Sequence, residues 1–255
     1  MNRTICFAKR NFTEMSRDIL SYIFCVAFPL AMLVIMTLVN ESIPKEAGMT
    51  IFRIDNLSGG VAVFGQTFVM LFTALSVSKD RSGSFLIRLF ASPMKSSDFT
   101  NGYILPMLFI SVIQACMIMI ASLIISFITG FDLNLLGLLA GLCVLIPSAV
   151  FFTSIGLIFG TLFNQNAAPG LCSIIISLGS FIGGIWFDAE GTGGILLKIA
   201  KCLPFFYCTK LVRCAVSLDF GKDFLLSFAV VLSCAVFFAL LSSVLFKTKM
   251  KADLQ

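Results

Sequence analysis

The chain contains no histidine. It therefore has no imidazole metal ligand, no Ser-His or Cys-His couple and no haem held by His. It also lacks a G-x-x-x-x-G-K-[ST] phosphate loop. Gly221-Lys222 has neither the upstream glycine nor the following hydroxyl residue, so the chain carries no such nucleotide site of its own. Charge is scarce, at 12% of 255 residues, where a soluble domain has about a quarter. Apolar residues make up 58%, and the mean hydropathy is +1.02. That composition belongs to an integral membrane protein. The nine cysteines include no C-x-x-C pair, so they read as small packing residues rather than metal or redox groups. The net charge of +5 is no sign of nucleic acid, because its distribution follows the bilayer.

Charge-free stretches run over 19–40, 56–78, 99–131, 133–187 and 224–246. A spanning helix needs about 20 apolar residues, so the fourth stretch is long enough for two. Asn164-Gln165-Asn166 followed by Pro169 divides it with a turn. Six spans result, centred near Val26, Met70, Ile113, Val150, Ile176 and Val231. The stretches lack the two-residue alternation of barrel strands, so the spans are helices. With both termini inside, cytoplasmic segments hold 11 of the 18 cations and carry an excess of positive charge, which sets the orientation. Residues 1–18 read as a cytoplasmic helix rather than a cleavable signal, because the apolar run that follows is too long.

Two segments read as lying on the membrane. In the first, Ile5, Ala8, Phe12, Met15 and Ile19 share one helical face and Arg3, Arg10, Glu14 and Arg17 the other. The second, 194–218, is apolar but carries Lys198, Lys201, Lys210 and Arg213. Each would cost about 2.5–3.5 kcal/mol at mid-bilayer, which excludes a seventh span. Pro204 splits it into two short helices in the outer leaflet. Gly137-x-x-x-Gly141, Gly156-x-x-x-Gly160 and Gly179-x-x-x-Gly183 allow close helix approach, within the bundle or at a dimer seam.

No Asp, Glu, Lys or Arg lies in the core of any span, which argues against proton-coupled transport and intramembrane hydrolysis. The polar residues left inside mostly read as interhelical hydrogen bonders. Gln66, Thr67 and Gln114 are the candidates for a substrate path, since amides are rare in spans. The informative polar stretch is 79–95, between the second and third spans. Phe85, Leu86, Leu89 and Phe90 form an apolar helical stripe, Arg81 and Arg88 lie on another face, and Ser92-Pro93 stops the helix. It reads either as a helix on the inner leaflet or as a docking helix for a cytoplasmic partner.

This stretch resembles the membrane subunit of ABC exporters of the type-2 permease class, close to the daunorubicin-resistance kind. The matching residues are Asp80-Arg81, Gly83, Phe85-Leu86, Arg88-Leu89 and Ala91-Ser92-Pro93. Gly83 stands one residue further from Ser92-Pro93 than the family's usual glycine. Gly183-Gly184-Ile185-Trp186-Phe187, Leu203-Pro204-Phe205-Phe206-Tyr207 and Leu211-Val212-Arg213 resemble the family's outer-leaflet re-entrant segment. The resemblance implies an all-α integral membrane protein: an amphipathic helix over 1–18, then one six-span permease domain over 19–255 with a re-entrant segment before the last span. It further implies no cofactor bound directly. A separate ATP-binding subunit would dock on the 79–99 loop, and a second permease copy, identical or not, would complete the unit. The uncharged interior favours export of a hydrophobic or amphipathic cargo. The rival reading is a non-transporting scaffold or sensor that recruits a cytoplasmic partner through the same loop.

Overall fold

The computed structural model of the protein describes residues 3–44, 50–83, 94–187 and 189–252. All regular structure among them is helical. In chain order these are α1 (Arg3–Ser16), α2 (Ile19–Ser42), α3 (Ile54–Ser82), α4 (Ser96–Thr129), α5 (Leu135–Leu162), α6 (Ala168–Ile182), α7 (Gly194–Cys202), α8 (Pro204–Val216) and α9 (Lys222–Ala252). A single turn over Ala189–Thr192 precedes α7.

Five of these helices, α2, α3, α4, α5 and α9, are long and apolar enough to cross a membrane. The sixth expected span, α6, has 15 residues, about 22 Å of helix against roughly 30 Å of hydrocarbon. The chain around it nevertheless runs the length of α3. Gln165 lies 3.4 Å from Ser82 at one end, and Ile185 packs beside Gly60 at the other. The turn before α6 forms where three amides and a proline stand, with Asn164 Oδ1 accepting the Ala167 N–H. Pro29 stands just past a π turn at Ile23–Ala27 inside α2, where a residue without an N–H is tolerated.

Helix α3 is the centre of the bundle. It contacts α2, α4, α5, α6 and α8, and is buried on all sides from Leu57 to Met70. A helix that is apolar all round and rich in small residues belongs in such a position. α2 and α9 face outward, exposing Val34, Leu38, Phe237 and Leu240, as lipid-facing helices do.

The glycine pairs are seams within this chain. Gly156 and Gly160 of α5 lie directly on α3, where a Cβ would strike Met70, Thr73, Ala74 and Val77. Gly137 and Gly141 seat Val216 of α8, and Gly179 and Gly183 seat Phe205. Two short helices do occupy 194–218, broken at Pro204. Lys210 there pairs with Asp223 at 2.8 Å, and Arg213 Nε donates to Asn56 O of α3 at 3.1 Å.

Helix α1 forms where expected, but its faces divide differently. The buried stripe is Phe7, Asn11 and Met15, which points α1 at α4 rather than only at lipid. Ile5 and Ile19 are exposed. Arg10, expected on the outer polar face, turns inward to Asp80.

Candidate functional site

Five helices meet at one end of the bundle. Phe7 of α1, Phe99 and Tyr103 of α4, Val77 of α3, Leu157 of α5 and Phe246 of α9 form a single apolar cluster there. Phe7 stands edge-on to both Phe99 and Tyr103, at 5.6 and 5.1 Å between ring centroids. Gly102 has no side chain where the Phe7 ring lies, so α1 comes close to the α4 backbone. The start of α1 and the last turns of α9 thus lie beside the end of α3 and the start of α4.

Above the cluster is a charged network. Asp80, in the last turn of α3, is 5% exposed. Arg10 grips it through two nitrogens, at 2.6 and 3.0 Å, and the Tyr103 hydroxyl donates to the same carboxylate at 2.7 Å. Two-pronged guanidinium–carboxylate pairing is among the stronger hydrogen-bonding geometries. Burial works against the Arg10 charge, but the Asp80 and Glu14 carboxylates together outweigh it and raise the guanidinium pKa above its ordinary value. Arg10 also pairs with Glu14 at 2.7 Å, and Glu14 with Lys79 at 3.0 Å. α1 is thereby tied twice to the end of α3.

Proline supplies a further tie. Pro106 has no N–H for the Gly102 carbonyl four residues earlier, and Asn11 Nδ2 takes that acceptor instead at 3.0 Å. Asp98 accepts the Lys95 N–H at 3.0 Å, capping the start of α4, and the Thr4 hydroxyl at 2.8 Å. Arg81 reaches sideways to the end of α5, donating to the carbonyls of Thr161 and Gly160. Those carbonyls belong to the last turn of α5, whose partial negative charge favours a cation.

These positions bear directly on the residues read from the sequence as a docking loop. Asp80 and Arg81 belong to α3 itself: Asp80 is turned inward, and Arg81 is held on α5. Gly83 ends the helix, its N–H returning to Lys79 O at 3.0 Å. Phe85, Leu86, Arg88, Leu89, Phe90, Ser92 and Pro93 lie outside the described residues. Sequence reasoning missed Arg10, Asn11 and Tyr103. Only Pro106, mid-helix and bound to leave a carbonyl open, hinted at what Asn11 does.

The three candidate path residues are buried inside the bundle and occupied with helix contacts. Gln66 Nε2 donates to Leu145 O of α5 at 3.0 Å. Thr67 returns to Phe64 O of its own helix at 2.6 Å. Gln114 crosses the bare backbone at Gly65 to donate to Ala62 O at 3.4 Å. Gln66 thus ties α3 to α5 and Gln114 ties α4 to α3. Among the described residues no cluster of metal-ligating side chains gathers.

No curated protein matches the sequence closely enough to count as a relative. A profile of the ABC-2 type transporter family matches residues 3–217, from the start of α1 through α8. With its helical membrane bundle, its charged end and its broken helix pair before the last span, the chain belongs to the ABC-2 type transporter family and is the permease component of an ABC transporter.

Proposed function

We propose that this permease is the membrane half of an ATP-driven exporter. A separate ATP-binding subunit docks on the segment between α3 and α4, and two permeases make the working unit. The charged end then faces the cytoplasm, with both termini on that side. The observation that carries this reading is the way the flanks of the segment are held. Lys79 and Asp80 hold α1, Arg81 holds α5, and Asp98 holds α1 again. A push on the 84–95 segment would reach α1, α4 and α5 together, as the coupling of an ATPase to a bundle requires.

The cargo is hydrophobic or amphipathic, since the cores of the helices hold no charged residue that a polar polymer or an ion would need. ATP is used by the partner and the permease binds none. The test is co-purification from membranes: an ATP-binding subunit should accompany the permease, and cargo should stimulate its ATPase activity. A permease that purifies from its native membranes without an ATP-binding subunit, and shows no cargo-stimulated ATPase activity, would contradict the reading.

A further inference from the structure

A crevice of about 300 Å³ opens between the middle of α4 and the first half of α5, with α3 behind it. Val112, Leu139 and Ile146 at its edge are 42%, 51% and 49% exposed. It therefore opens to the outer surface of the bundle, which in this family is hydrocarbon. No charged residue lines it.

Two lining residues, Gln66 and Ser111, are each 1% exposed, and Gln66 Oε1 and Ser111 Oγ have no hydrogen-bond partner. The amide nitrogen of Gln66 is already engaged by Leu145 O. Ser111 differs from its neighbours in the spans: Ser122, Thr153, Ser154 and Thr161 all donate to a carbonyl of their own helix. A third polar group stands in the same wall. Pro147 has no N–H, so the carbonyl of Cys143, four residues earlier and in the crevice lining, lacks its ordinary helical donor. Hydrocarbon offers no water to meet these atoms, and unmet polar atoms are costly there.

We propose that the crevice is a binding site for a small uncharged amphipathic molecule. Its apolar body lies between α4 and α5, and its hydroxyl group donates to Gln66 Oε1 and accepts from Ser111 Oγ. A volume at the low end of small-molecule pockets suits one such ligand, or one end of a longer one. An acyl tail brings no donor and leaves both atoms unmet. The proposal rests on the membrane setting alone and stands whether or not the chain exports anything.

The test uses the purified full chain in lipid nanodiscs, with a ten-carbon alcohol bearing a diazirine and with its methyl ether, which lacks the donor. The alcohol should crosslink to peptides containing Val112–Cys116 and Leu139–Ile146 about ten-fold more than the ether, the worth of one hydrogen bond. Ser111→Ala, which removes only an unpaired hydroxyl, should lower labelling by the alcohol several-fold. Ile146→Trp, filling the mouth, should abolish labelling by both probes. Equal labelling by alcohol and ether, indifference to Ser111→Ala, or no labelling of these peptides would overturn the proposal and leave a lipid tail or a second copy of the chain over the crevice.

Discussion

A carboxylate buried at a helix end needs partners, and Asp80 has the Arg10 guanidinium and the Tyr103 hydroxyl. Removing one member of a buried pair strands the other charge. Arg10 is a third exposed, so Arg10→Ala and Asp80→Ala should each cost about 2–3 kcal/mol, below the value for a fully buried pair. The double variant should cost well under their sum, with a coupling of about 2 kcal/mol in thermal unfolding of the detergent-solubilised protein. Additive losses would mean that the pair is incidental. Asn11 offers a rescue experiment at the same scale. Asn11→Ala should cost about 1–3 kcal/mol, because the Gly102 carbonyl is then buried without a donor. Pro106→Ala restores an N–H to that carbonyl and should recover much of the loss, whereas an unchanged loss would rule out this explanation. Little of this was legible in the sequence. Asp80 and Arg81 stand beside the loop and read as part of it, while their partners, Arg10 and Thr161, lie 70 and 80 residues away, where no spacing rule reaches.

Elements were far more legible, because their signals are local. Hydropathy marked the long helices, and the amides with Pro169 marked the turn before α6. The glycine pairs announced close contacts, though not which surfaces they join: pairs in α5 and α6 could have met a second copy, but they meet α3 and, in α8, Val216 and Phe205. The faces of α1 were misread for a related reason. Periodicity finds an apolar stripe, but α1 has both lipid and α4 to satisfy, and Phe7 and Asn11 serve the second. The seam between α3 and α5 can be tested directly. Gly160→Val forces α5 off Ala74 and Val77 and should cost about 3 kcal/mol, at the upper end for overpacking. Gly170→Ala in α6, where nothing lies within 4 Å, should be neutral or slightly stabilising. Comparable thermal stability of the two variants would contradict close packing at this seam.

The whole molecule has two unlike ends, one holding α1, the end of α3, the start of α4 and the last turns of α9, the other holding α7 and α8. Two native thiols report on them without mutation: Cys6 is exposed at the first and Cys202 at the second. A membrane-impermeant maleimide applied to sealed cells should modify Cys202 and spare Cys6, and the reverse pattern would invert the orientation drawn from charge. On the proposed function, an ATP-binding subunit drives the bundle from the first end. Phe85, Leu89 and Phe90 belong to the apolar stripe that the family resemblance would make the anchor of that contact, and one such anchor would be worth about 2 kcal/mol, roughly thirty-fold in affinity. The most direct measurement is retention of the ATP-binding subunit when the Phe85→Ala/Phe90→Ala permease is purified from membranes. The account predicts that the double variant accumulates normally but loses the subunit and its efflux; normal retention together with normal efflux would contradict it.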